Sequence, residues 1–291
     1  MGLNHCGISG AGFAIPGIGS ALVRVLESDR KIDIFSGVSS GALLTFVAVA
    51  SNDPISAIKE NVIGFTADVA FKCPPINKNN KVTLLSIYNL LTKNYMASQN
   101  KLSKTLKNIV SEDEWNNYIN DFNSPDAIVL CVDYYSGSRR KINLKDQSYN
   151  DAIDYVVASS SIPIFANPIY KDSDMLYDGG VRNHIATEYI MDNYDLDSSI
   201  SIYSRTEEFS KMLNFKNLDT SVEVLFRTLD IMNNEISKSD EQLEDLKAEK
   251  YNINNTKIFV PNILDNPYHA DELLQKELYK LGRQSAINSG F

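Results

Sequence analysis

Cysteine is scarce in this sequence, and Cys6, Cys73 and Cys131 are the three it contains. Three thiols cannot all pair, none of them stands at metal-ligand spacing, and Cys6 and Cys131 fall in apolar, strand-like runs. The pattern excludes a disulfide framework and points to reduced thiols in a cytoplasmic protein. Positive charge is in deficit: 28 Lys and Arg against 37 Asp and Glu leave a net charge of -9. That balance excludes nucleic acid as a partner, because a phosphate-binding surface needs clustered cations. It also speaks against strong electrostatic docking on an anionic bilayer. The one compact basic group, Arg139-Arg140-Lys141, reads as a solvated hairpin turn. No apolar run approaches the ~20 residues that a membrane-spanning helix needs. Met1-Gly2-Leu3-Asn4-His5 has neither a basic region nor an apolar one, so no secretory signal is expected, and Cys6 stands where a myristoylation site would want Ser or Thr. Histidine is limited to His5, His184 and His269. Asp172, Asp174 and Asp178 lack the spacing and closing Glu of a calcium loop, so neither a metal nor another cofactor is expected. Repeats and low-complexity tracts are absent as well.

What remains is an ordinary globular composition, 43% apolar and 22% charged over 291 residues, enough for one large core. The stretch that organises it is Gly37-Val38-Ser39-Ser40-Gly41. An apolar run, Ile32-Asp33-Ile34-Phe35, precedes it, and an apolar run too long for a strand, from Ala42 to Ala50, follows. That order reads as strand, tight turn, helix. A glycine two residues either side of Ser39 removes the Cβ atoms that would collide there, so the serine can occupy a strained turn with Oγ exposed near a helix N-terminus.

The chain before the elbow reads as a strand over Asn4 to Ser9, a Gly-rich turn Gly10-Ala11-Gly12, and a helix marked by Pro16, Ile18, Leu22, Val25 and Leu26. This is a βαβα start for a mostly parallel sheet with helices on both faces. A dinucleotide fingerprint would need a third Gly at position 15, which is Ile15, and an acid at the end of the second strand. From 54 to 122 the pattern is helical throughout, with stripes at Leu84, Ile87, Tyr88 and Leu91 and at Leu102, Leu106 and Ile109. The segment could cap a pocket or cover one sheet face. Strands are expected over 127–134 and 138–144, then a helix over 149–158, a strand end at Asp178-Gly179-Gly180, a helix over 185–191 and a strand over 199–203. Val222, Leu225, Leu229, Met232, Ile236, Leu243 and Leu246 mark a long amphipathic arm. A strand over 257–260 and a terminal helix over 272–287 complete the chain. We therefore expect one domain over 1–291, with a helical insertion or cap at 54–124 and a helical arm at 205–255; oligomeric state is not legible.

A serine hydroxyl is a poor nucleophile until a base takes its proton. Asp178, framed by glycines on a separate strand end, is the acid placed to do so, with a pKa raised by partial burial. His184, six residues later, would give the chain order of a Ser-Asp-His triad, and His269 and His5 are weaker candidates. The anion formed on attack needs preorganised donors, which the N–H groups of Gly10, Ala11 and Gly12 could supply.

Taken together, Ser9 to Gly12, Gly19, Leu22 to Leu26, Ile32 to Gly41, Ala158-Ser159-Ser160-Ser161-Ile162-Pro163, and Asp178-Gly179-Gly180-Val181 with Asn183 resemble the patatin-like phospholipase family. The resemblance covers roughly 7–50 and 155–186. It implies a three-layer α/β/α fold, a Ser39–Asp178 dyad without histidine, an oxyanion loop at Gly10 to Gly12, and metal-independent hydrolysis of lipid acyl esters. Lipid or phospholipid at a transiently contacted membrane surface would be the substrate of such a cytoplasmic enzyme. Two departures stand out: the family's middle Gly is Ala11, and the Arg or Lys usual two residues after the third Gly is Ala14. They leave open a lipid-binding or scaffold protein that keeps the fold with weakened catalysis.

Overall fold

The computed structural model describes residues 2–76, 81–205, 221–264 and 270–291, without the side chains of 221–223 and 226. The polar break at 77–80, His269, the Val222 side chain and 206–220 of the expected arm lie outside the described residues. Strand β1 (Leu3–Ile8) leads through a 3-10 turn at Gly12–Ala14 into helix α1 (Ile15–Leu26), then β2 (Ile34–Val38) and α2 (Ser40–Ala50). Helices α3 (Pro54–Val62), α4 (Ala67–Ala70) and α5 (Leu84–Thr92), strand β3 (Tyr95–Ala97), and helices α6 (Asn100–Ile109) and α7 (Glu112–Asn120) follow. The chain continues through β4 (Asp126–Asp133), β5 (Ser138–Asn143), α8 (Tyr149–Ser159), β6 (Ile164–Ala166), β7 (Ile169–Lys171) and β8 (Asp174–Asp178). It closes with α9 (Thr187–Asn193), β9 (Leu196–Tyr203), α10 (Ser221–Tyr251), β10 (Asn254–Phe259) and α11 (Glu272–Asn288).

The main sheet has the order β10-β9-β1-β2-β4-β8-β7, with β5 on β4. Its five strands from β10 to β4 are parallel, and β5, β8 and β7 join antiparallel. Parallel strands need both faces covered, and both are. One face carries Cys6, Ile8, Phe35, Val129, Ile200 and Ile202, packed with α1, α2, α8 and α11 in the larger core. The other carries Ile34 and Ile128 under α9 and α10. The result is the mostly parallel three-layer α/β/α architecture that the opening βαβα pattern foretells. The second face also holds His5, whose Nδ1 and Nε2 lie 2.9 Å from Ser199 Oγ and 2.8 Å from Ser36 Oγ. Burial drives its pKa down to about 3, so it is a neutral ring within the sheet layer, away from the chemistry.

Four expectations need correction. The segment 54–124 is not helical throughout, because β3 pairs with β6 in a separate two-stranded sheet. Helix α5 forms, but its apolar stripe faces outward while Ser86 and Asn89 are buried. Helix α10 keeps the expected stripe where Leu225 and Leu229 pack against the core, but elsewhere it buries Ser237, Asp240, Glu244 and Ala248 and exposes Met232, Leu243 and Leu246. Its inward polar groups have partners: Asp240 accepts from Asn183 Nδ2 (2.9 Å) and from the backbone N–H groups of His184 (2.6 Å) and Ile185 (3.2 Å), and Glu244 accepts from Tyr203 Oη (2.6 Å). These hydrogen bonds offset the desolvation that burying the two carboxyl groups would otherwise cost. Finally, Arg139 and Arg140 are not a solvated turn: they lie on β5, where Arg140 holds Asp174 through two nitrogens and Arg139 pairs with Glu188.

Candidate active site

The turn between β2 and α2 is built as tightly as its glycines imply. A Cβ on Gly37 would lie 2.2 Å from the Gly41 carbonyl oxygen, and one on Gly41 would lie 2.2 Å from that of Ile8. Ser39 sits between them at φ 56°, ψ -125°, a conformation that costs a non-glycine residue on the order of 1–3 kcal/mol and persists only when its surroundings impose it. Those surroundings are the hydroxyls that follow α8. Ser39 N donates to Ser159 Oγ (3.0 Å), which donates in turn to the Leu130 carbonyl (2.6 Å), while Ser160 Oγ donates to the Ser39 carbonyl (3.1 Å).

Asp178 arrives from the opposite direction. On one edge of β4, β2 runs parallel and ends with Val38 opposite Leu130; β8 then takes over the same edge antiparallel and ends with Asp178 opposite Cys131. Because β5 occupies the other edge of β4 across 128–133, the two strand ends must meet head to head. Close docking requires Gly179, where a Cβ would come within 2.4 Å of the Leu130 carbonyl oxygen. The Ser161 backbone carbonyl ties this side down by accepting from Asp178 N (2.9 Å). One block of three serines therefore braces both ends of the site. The sequence displays that block as part of the family resemblance, but nothing in it tells what the hydroxyls bond.

The Asp178 carboxyl is 4% exposed. Burial pushes its pKa up from 3.8 to about 7, partly offset by the Gly180 N–H and the Ser39 hydroxyl. Gly180 N donates to Oδ1 at 2.7 Å. The Ser39 contact is looser, close enough to act on the carboxyl but not closed into a hydrogen bond of ordinary geometry.

The Gly-rich loop differs in detail from the expected trio of donors. Gly10 N donates to the His184 carbonyl (3.1 Å), and Ala11 N donates to Ser40 Oγ (2.8 Å). Ala11 has φ -145°, which any L-residue adopts, so alanine strains nothing there. Gly12 sits at φ 53°, where glycine is favoured. Its N–H, and that of Ser40 at the first turn of α2, have no partner among the described residues. Ala14 is buried, which leaves no room for the cation usual in the family. His184 packs beside Gly10, itself against Ser39, but bonds neither Ser39 nor Asp178. Burial and Arg205 drive its pKa down to about 4.

Ser39 opens onto a narrow apolar cleft with an inner volume of about 40 Å³, walled by Leu43, Phe65, Phe71, Leu102, Ile162 and Phe165. Phe65, Phe71 and Leu102 come from the 54–124 segment. Gln99, from the same segment, also lines the cleft and donates to the Ser160 carbonyl (2.9 Å), so the insertion is tied to the serine block.

VipD from Legionella pneumophila has a similar structure, with a TM-score of 0.51 at 12% identity over 99% of this chain and 66% of VipD, just under two thirds of its length. At that identity the likeness is one of fold. Among curated protein sequences none matches. The model of the patatin-like phospholipase family matches residues 7–191, a span that holds the elbow, the Gly-rich loop, the serine block and Asp178. With most of its length under that match, the chain belongs to the patatin-like phospholipase family, whose membership carries the expectation of lipid acyl hydrolysis.

Proposed function

We propose that this protein is a serine-dependent acyl-ester hydrolase of phospholipase A or lysophospholipase type. Ser39 Oγ attacks the ester carbonyl as Asp178 takes the hydroxyl proton. The tetrahedral oxyanion forms opposite the Gly12 and Ser40 N–H groups at the positive end of α2. Collapse expels the alcohol, to which Asp178 returns the proton, and leaves an acyl-Ser39 ester. Asp178 then deprotonates water, whose attack on that ester releases the fatty acid and restores the serine. The observation that carries this reading is a buried carboxyl with a pKa of about 7 beside a strained serine at the end of an apolar cleft. A general base works best with a pKa near the working pH, and an apolar slot suits an acyl chain.

The engagement of the Gly10 and Ala11 amides, with Ala14 in place of a cation, favours a second reading, a lipid-binding protein with weakened catalysis. A fluorophosphonate probe separates the two. Stoichiometric labelling of the wild type, absent in Ser39→Ala, supports the hydrolase, and hydrolysis of a chromogenic long-chain ester should vanish in Ser39→Ala and Asp178→Asn while surviving His184→Gln. An unlabelled, folded wild type would overturn the hydrolase reading, and loss at His184 would turn the dyad into a triad.

A further inference from the structure

Helix α5, LLSIYNLLT, turns its polar side inward. Its buried residues are Ser86 and Asn89, whereas Leu84 is 86% exposed, Leu91 81% and Tyr88 61%, with Leu85, Ile87 and Leu90 exposed beside them. The helix is firmly anchored in this orientation. Thr83 caps it by accepting from Ser86 N (3.2 Å), its hydroxyl lies 2.7 Å from Ser86 Oγ, and Asn89 Nδ2 donates to the Met96 carbonyl (2.8 Å). A contiguous apolar face held toward water by specific polar tethers marks a docking surface.

Two observations identify what docks. The helix is joined to the cleft through the chain: α5 leads into β3, β3 pairs Tyr95 with Ile164 of β6, and Gln99, two residues past β3, and Phe165, next to Ile164, line the cleft that holds Ser39. Ile164, the β6 partner of Tyr95, is itself exposed. Charge is segregated as well. From 69 to 111 the chain has seven lysines and no Asp or Glu, within a protein of net charge -9. Lys72, Lys93, Lys101 and Lys104 of this stretch are exposed. An apolar helix with exposed lysines on the chain to either side, Lys72 before it and Lys93, Lys101 and Lys104 after it, meets the two requirements of interfacial binding to anionic lipid.

We propose that α5 is an interfacial docking helix that lays its leucine face into an anionic lipid bilayer and holds the Ser39 cleft against the lipid. The whole-chain charge conceals this surface because the lysines are outnumbered elsewhere. The identity of the lipid as substrate rests on the hydrolase reading; the binding does not.

The test is co-sedimentation of the full chain with phosphatidylcholine vesicles, with and without phosphatidylserine, beside hydrolysis of a soluble short-chain ester. The wild type should bind the phosphatidylserine vesicles, more weakly at high salt. A Leu84→Gln/Tyr88→Gln/Leu91→Gln variant, altered only at exposed sites, should lose about tenfold or more in vesicle binding while retaining its melting temperature and its soluble-ester rate. Equal vesicle binding by wild type and variant overturns the proposal. So does a wild type that ignores vesicles but forms a dimer the variant abolishes, which would make a second copy the occupant. Soluble-ester hydrolysis without vesicle binding sinks the docking and spares the chemistry; vesicle binding with no hydrolysis at all does the reverse.

Discussion

Replacing Asp178 with Asn should stabilise the protein at alkaline pH, and the size of the gain follows from its burial. The carboxyl is raised from 3.8 in the unfolded chain to about 7 in the fold. Between those values the native state holds a proton that the unfolded state has lost, so the contribution of this group is fully present below pH ~4 and is lost as pH rises toward 7. The full displacement corresponds to about 4 kcal/mol as an upper bound. Asparagine stays neutral, keeps an oxygen for the Gly180 N–H, and escapes that loss. The difference in stability between Asp178→Asn and wild type should therefore grow by about 1.4 kcal/mol per pH unit from pH 4 to 7 and level off above it. Thermal melts of both proteins at pH 5 and pH 8 read this directly, and the variant's advantage at pH 8 should be several degrees greater than at pH 5. The same ionisation should set the acid limb of wild-type hydrolysis, with activity rising through pH ~7 as the base form accumulates. A melting difference independent of pH, or one that shrinks at pH 8, would refute the claim that this carboxyl is buried and raised.

Three further outcomes follow from the packing around it. Ser159→Ala leaves the Ser39 N–H and the Leu130 carbonyl without their buried partner; it should cost about 1–3 kcal/mol in a denaturation curve and slow fluorophosphonate labelling of Ser39 about tenfold. Gly41→Ala drives a Cβ to within 2.2 Å of the Ile8 carbonyl oxygen and should destabilise by at least about 3 kcal/mol, visible as lost soluble yield or a collapsed melting temperature. Leu102→Trp narrows the apolar cleft beside Ser39 and, on the proposed hydrolase reading, should lower the rate on long-chain esters about tenfold or more relative to short ones in a chain-length series.

Much of the fold was legible because it depends on neighbours in the chain. The alternation of apolar runs with Gly-rich turns up to Ala50 marks β1, α1, β2 and α2 to within a few residues, since both the helical period and the glycine requirement of the elbow are local. Ser39 and Asp178 stand out for the same reason, each framed by glycines whose missing Cβ atoms let backbone approach backbone. Helices α5 and α10 form where the periodicity predicts them, but the stripe turns inward only in α10 at Leu225 and Leu229, while in α5 and at Met232, Leu243 and Leu246 of α10 it faces out. Apolar periodicity picks the buried side only when no polar group has a better offer, and here Met96, Asn183 and Tyr203, remote or beyond the helix end, supply hydrogen bonds to Asn89, Asp240 and Glu244. Strand β3 was missed because three residues cannot display a period of two against a helical background.

By itself the sequence determined the elbow, the framed acid, the parallel α/β framework and the reservoir of lysines around α5, all consequences of residue type and short-range spacing. The tertiary structure alone decided that β2 and β8 end head to head on β4, so that serine and carboxyl face each other, and that Ser159 to Ser161 hold both in place. It also decided which amides of the Gly-rich loop remain open, because the His184 carbonyl and Ser40 Oγ reach two of them. These are contacts between segments 17 to more than 170 residues apart, and only the folded chain brings such donors and acceptors within hydrogen-bonding distance.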